Sequence, residues 1–208
     1  MNFDPYNPLD DANLQASVAE ALLERDPIRL DKLPRFNGAG LYALYYTGPF
    51  PAYEPLAARN RDNRFEWPIY VGKAEENRTR IGAGPAAQKL FKRLCEHRES
   101  VNQAVNLDVT DFYCRALVVK DIWVPLGESL LLSKYAPLWN KTVDGFGNHN
   151  PGRGRVAGMM PRWDTLHPGR PWAPNHQPRN ETAEQLITEI RHQLELAAVP
   201  AKPRFLAP

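Results

Sequence analysis

A chain of 208 residues, 43% hydrophobic and 24% charged, is long enough to bury one sizeable core and too apolar to be disordered. Its net charge of +2 excludes bulk charge as an argument for a nucleic-acid or membrane partner. Two cysteines, Cys95 and Cys114, exclude a disulfide scaffold and lack metal-type spacing, and no signal peptide or membrane-length apolar run is read, so a cytoplasmic protein is expected.

Charge is unevenly spread. Residues 1–31 are acid-rich, whereas basic residues cluster among Gly, Pro and aromatics from Arg59 to Arg98 and from Arg153 to Arg170. In chain order, Leu14, Val18 and Leu22 recur every four residues, which predicts an amphipathic helix over 9–25, ended by Pro27. Gly40 to Tyr46 is apolar throughout and predicts a strand buried on both faces. A loop from Thr47 to Trp67 follows, in which Arg59, Arg61 and Arg64 are candidates to approach phosphates or to face solvent. Ile69 to Lys73 predicts a second strand, followed by a polar loop over 75–85.

A helix is predicted from Ala86 to Val101, with Leu90, Phe91 and Leu94 on its apolar stripe. Arg93 and His97 are four apart and so share one face. Asp111 to Lys120 is rich in β-formers and predicts a third strand. Pro125 opens another helix, which Pro137 ends. Residues 144–178, dominated by Gly, Pro, His, Arg and Trp, predict little regular structure and suit a loop that wraps a partner. A last amphipathic helix is expected over 180–198, capped by Asn180 or Thr182, with Leu186, Ile187, Ile190 and Leu194 inward, followed by a loose Pro-rich tail.

Two triplets in this order, Gly40-Leu41-Tyr42 and Tyr70-Val71-Gly72, then Arg93 with His97 on a helix, Glu128 on a later helix and Asn140 after it, resemble the GIY-YIG nuclease superfamily. Longer stretches, among them Pro68-Ile69-Tyr70-Val71-Gly72-Lys73-Ala74 and Val143-Asp144-Gly145-Phe146-Gly147-Asn148-His149, resemble the GIY-YIG type II restriction endonucleases that cut CCGCGG. The resemblance runs from the first helix to about Ala173; the long gap between the triplets departs from compact members of the superfamily. It implies an α+β fold: a small central antiparallel three-stranded sheet flanked by helices. The expected parts are an N-terminal helical arm (1–32), a catalytic core (33–143) with an insertion (47–67), an Arg/Gly/Pro-rich DNA-recognition segment (144–178), and a C-terminal helix and tail (179–208).

Phosphodiester hydrolysis needs an activated water, stabilisation of the phosphorane and help for the leaving oxygen. The resemblance implies that Tyr42 accepts the water's proton and Tyr70 positions the water or shares the proton. A free phenol titrates near ~10, so neighbouring cations are needed; Arg93, Lys73 and a charged or hydrogen-bonded His97 are available. How Tyr42, Tyr70 and His97 divide this work stays open. Arg93 is expected to donate to phosphate oxygens, Glu128 to hold Mg²⁺ (Mn²⁺ as substitute), and Asn140 to brace the site by hydrogen bonds.

A G·C-only target calls for arginines, which grip guanine bidentately. Candidates for DNA contact are Lys73, Asn148, His149, Arg153, Arg155, Arg162 and Arg170, with phosphate positioning or plain surface charge as the alternative for each arginine. A palindrome implies a homodimer on double-stranded DNA, and a restriction enzyme implies a cognate DNA methyltransferase. The rival readings are a repair or structure-specific GIY-YIG nuclease, a DNA-binding module without catalysis, and an HNH-type metal site at His149-Asn150 with His167 or His176.

Overall fold

Four antiparallel strands order the molecule. The computed structural model describes residues 9–75, 88–150 and 158–197. Its strands are β1 (Ile28–Arg29), β2 (Gly40–Tyr46), β3 (Tyr70–Ala74) and β4 (Phe112–Val118), in the spatial order β1-β4-β2-β3. β2 lies at the centre and all seven of its residues are buried, as a continuous apolar run requires. The expected three-stranded sheet gains a fourth, two-residue edge strand, in which Ile28 and Arg29 pair with Cys114 and Tyr113. Two residues between Pro27 and Leu30 carry no alternation, so pairing with β4 alone defines them.

Helices cover both faces. Leu41 faces α1 (Asp11–Leu23) and α4 (Val124–Tyr135): a Cβ on Gly127 of α4 would come within 2.6 Å of both Leu41 and Val18. The side chain of Tyr42 points the other way, toward α3 (Lys89–Gln103), because successive strand residues alternate. No helix among the described residues is long and apolar enough to cross a membrane.

The free edge of β3 is sealed by α5 (Leu138–Lys141). An exposed edge strand leaves unpaired N–H and C=O groups. Asn140 meets both such groups of Val71: its Oδ1 accepts from the amide at 2.8 Å and its Nδ2 donates to the carbonyl at 2.8 Å. The Trp139 amide adds a bond to Ile69 O at 2.9 Å. The triplet Tyr70-Val71-Gly72 is therefore pinned on both sides.

The segment between the triplets, expected as a loop, contains α2 (Glu54–Asn60). Asn60 is buried and ties the segment's two ends, donating to Tyr46 O at 3.0 Å and Trp67 O at 2.8 Å. Arg61 is engaged by Glu54 and by the Thr47 and Gly48 carbonyls. The C-terminal helix α7 (Ala183–Leu196) starts on a Thr182/Gln185 capping box and buries Leu186, Ile190 and Leu194. It docks on α2 and on α6 (Arg162–Leu166), so its apolar stripe is used within the chain. The described part of 144–178 is packed rather than open. Phe146 and Trp163 are buried against Trp139, Leu166 is buried too, and His167 bonds Tyr53 at 2.6 Å and Asn106 at 2.9 Å.

Candidate active site

Two glycines explain where the tyrosines lie. In the sheet register Tyr42 sits opposite Gly72. A Cβ at Gly72 would lie 2.3 Å from the Tyr42 hydroxyl, so only glycine leaves room for the phenol to cross β3. At Gly40 a Cβ would lie 2.0 Å from the carbonyl oxygen of Leu117, so β4 can pack this closely only on a glycine. Gly72→Ala is expected to push the phenol aside, destabilising the fold by about 1–3 kcal/mol and losing more activity than that stability change explains. Denaturant melts beside cleavage assays at a temperature where the variant is folded check this.

Tyr42, Tyr70, Arg93 and His97 come together as one cluster. The Tyr42 hydroxyl and His97 Nε2 are 2.5 Å apart. The rings of Tyr70 and His97 are 5.2 Å apart and meet edge-on, and those of Tyr42 and Tyr70 are 6.1 Å apart. Burial holds His97 well below its ordinary pKa, and the nearby Arg93 guanidinium pushes it the same way. Both effects favour the neutral imidazole, so His97 acts here through its hydrogen bond to Tyr42. Burial raises Tyr42 well above the ordinary phenol value, and Tyr70 less so; Arg93 opposes the rise in both. Tyr42 has no exposed surface, whereas Tyr70 is partly exposed.

Arg93 sits between the tyrosines and a turn that follows α5. Its Nη2 donates to Gly147 O at 2.9 Å, and its Nη1 lies 3.0 Å from Glu96 and 2.6 Å from His149 Nε2. In that turn Phe146 stacks on His97, at 4.5 Å and 15° between planes. An open cleft of about 620 Å³ begins here, running along α3 from Arg93 and His149 to Gln103 and Trp172.

Glu128 approaches β3 from the α4 side. Its carboxylate lies 3.2 Å from Lys73 Nζ, and its negative charge raises the pKa of Tyr70. Lys73 also pairs with Glu75 at 3.0 Å.

A family model described as the Eco29kI GIY-YIG domain matches residues 34–194. The chain belongs to this family. Among curated proteins none matches it. An Eco29kI-type GIY-YIG domain makes the protein a nuclease of the restriction-endonuclease kind.

GIY-YIG nucleases generally use divalent metals. Among the described residues of this GIY-YIG chain no three acids or histidines gather as a ready-made site. Glu128, one-fifth exposed, is an acid close enough to act on Tyr70, whereas Glu96 is paired with Arg93. One carboxylate fits a hard cation that keeps several waters and takes its other oxygens from substrate phosphate.

The structure separates the remaining candidates. Asn148 and His149 stand in the turn beside Arg93, and Lys73 stands by Glu128. Arg153 and Arg155 lie outside the described residues. Arg162 is held by Glu181 and Glu189 and donates to Thr142 O at 2.8 Å. Arg170 is buried in an ion pair with Asp164. Both arginines therefore have partners inside the chain that compete with any base contact. An HNH-type centre is not assembled: His149 is on Arg93, His167 is buried between Tyr53 and Asn106, and His176 lies against Trp172.

Phe146 and Gly147 went unread as site residues. A Cβ on Gly147 would sit 2.7 Å from the Tyr70 hydroxyl and 3.1 Å from Arg93 Nη2. The Gly-Phe-Gly run was the available signal, since paired glycines mark close backbone approach.

Proposed function

We propose that the protein is a Mg²⁺-dependent type II restriction endonuclease that cuts both strands of a G/C palindrome, CCGCGG being the sequence to test first. The observation that carries this is the cluster of two phenols on a buried neutral imidazole with a guanidinium beside them, opening on a cleft. Such a group can move a proton and meet a phosphate where the cleft reaches Arg93.

In this reading Arg93 exchanges His149 and Gly147 O for phosphate oxygens, since a guanidinium pairs with phosphate in a charge-assisted fork. The water's proton is accepted by the Tyr42/Tyr70 pair. The resemblance points to Tyr42, but Tyr70 is the phenol that reaches the surface. Each phenol contributes to the other's shift, so we assign the proton to the pair. His97, neutral and bonded to Tyr42, holds that phenol's orientation and can share its proton. Asn140 keeps Tyr70 in place through the Val71 backbone. Glu128 would hold Mg²⁺, with Mn²⁺ as a substitute, and the ion supplies charge neutralisation at the leaving 3′ oxygen. Lys73 would neutralise an adjacent phosphate.

Asn148 and His149, which line the cleft, are the proposed DNA contacts there; Arg153 and Arg155 remain DNA-contact candidates on the sequence alone. A palindrome read by a two-fold homodimer accounts for double-strand cutting, and a methyltransferase of the same specificity would protect the host's sites in the cytoplasm. Digesting a sequenced plasmid with purified protein and Mg²⁺, then mapping the ends, tests this directly. Fixed ends at one G/C palindrome are expected. Cleavage confined to branched or damaged DNA would replace the reading with a structure-specific nuclease, and no cleavage with either metal would replace it with a binding module.

A further inference from the structure

The buried Arg170 has no donor to spare. An arginine offers five N–H groups. Nε and Nη2 meet the two oxygens of Asp164 at 2.6 and 2.5 Å. The second Nη2 proton goes to Gly145 O at 2.9 Å, and Nη1 goes to Phe146 O at 3.2 Å and Asn148 O at 3.3 Å. The guanidinium plane lies between the rings of Trp163 and Trp172, 4.4 Å from each centroid. Three of the five donors thus grip the carbonyls of one short turn, the turn whose Phe146 stacks on His97 and whose Gly147 O accepts from Arg93.

We propose that Arg170 is a positioning residue of the nuclease site: clamped between Trp163 and Trp172, it shapes the 145–148 turn that seats His97 and Arg93, and the rate of the cleavage step depends on it. The inference rests on the proposed nuclease reading of that cluster. It gives Arg170 a place outside base recognition, since a side chain with every donor engaged and 1% exposed has nothing to offer a guanine edge. Lysine cannot substitute, because an ammonium has neither the planar fork nor the stacking face.

The test is single-turnover cleavage by the full chain of the duplex identified from plasmid ends, with Arg170→Lys, Trp172→Leu and Glu128→Gln run in parallel. Arg170→Lys and Trp172→Leu are expected to lower the cleavage rate constant by about 10–100-fold, as small misplacements of catalytic groups do, with full amplitude and DNA affinity within about twofold. A reduced amplitude at an unchanged rate constant would mean a merely structural residue. Lost affinity at an unchanged rate constant would mean a DNA reader. Either overturns the proposal. Trp172 is only half-buried, so if Arg170→Lys does not fold by circular dichroism, Trp172→Leu decides: a wild-type rate constant there rejects the inference. Wild-type cleavage by Glu128→Gln would instead reject the underlying site assignment.

Discussion

Glu128→Gln is expected to lose cleavage by roughly a thousandfold or more while still binding DNA, because a metal's charge stabilisation is worth several kcal/mol and each ~1.4 kcal/mol is a factor of ten. The substitution removes a charge without adding bulk at a side chain one-fifth exposed, so the fold should not notice it. Lys73 keeps Glu75 as its partner at 3.0 Å, which leaves no stranded cation. Retained affinity in a gel-shift assay together with an intact plasmid after long digestion in Mg²⁺ is the expected pair of results. Wild-type nicking by the variant would move the metal role elsewhere in the chain.

Arg93→Ala should be nearly as damaging, by about 10²–10³-fold in the cleavage rate, the usual loss when a donor to developing negative charge is removed. Two effects add in the same direction. The phosphorane loses its guanidinium, and both phenols lose the one positive charge that opposes their burial-driven rise in pKa. The second effect has a separate signature. Each phenol's proton becomes harder to remove, so whatever activity remains should climb with pH further into the alkaline range than in the wild type. A single-turnover pH–rate series on both proteins checks it, and an unchanged profile would show that Arg93 does not tune the tyrosines.

The contacts of Arg93 also bear on how DNA enters. Its two terminal nitrogens are taken by Glu96, His149 and Gly147 O, all at or near the mouth of the cleft. A phosphodiester reaching this guanidinium would compete with an imidazole and a carbonyl, both neutral and weaker acceptors than its singly charged oxygen pair, and with the Glu96 carboxylate.

Much of the fold was legible because its signals are local. A continuous apolar run marked β2 as buried on both faces, Pro125 and Pro137 bracketed α4, and Asn180 or Thr182 marked the start of α7, of which Thr182 is the cap. Strand β1 and helix α2 were not. β1 is two residues long and exists only by pairing with β4, and α2 is held by Asn60 bridging carbonyls across the segment. In the site, the positions of Tyr42 and Gly72 in their strands were readable, but that the phenol of one needs the missing side chain of the other is a matter of register.

The sequence by itself determined the family and the α+β class, and it nominated Tyr42, Tyr70, Arg93, His97, Glu128 and Asn140 as site candidates, because spaced residues in elements of known period carry that information along the chain. Only the tertiary structure decided that burial disfavours charge on His97, that Tyr42 is buried while Tyr70 is partly exposed, and that Arg170 donates to the carbonyls of one turn. Those outcomes depend on burial and on which donors meet which carbonyls. Residues twenty or fifty positions apart settle both, and no periodicity in a single chain records them.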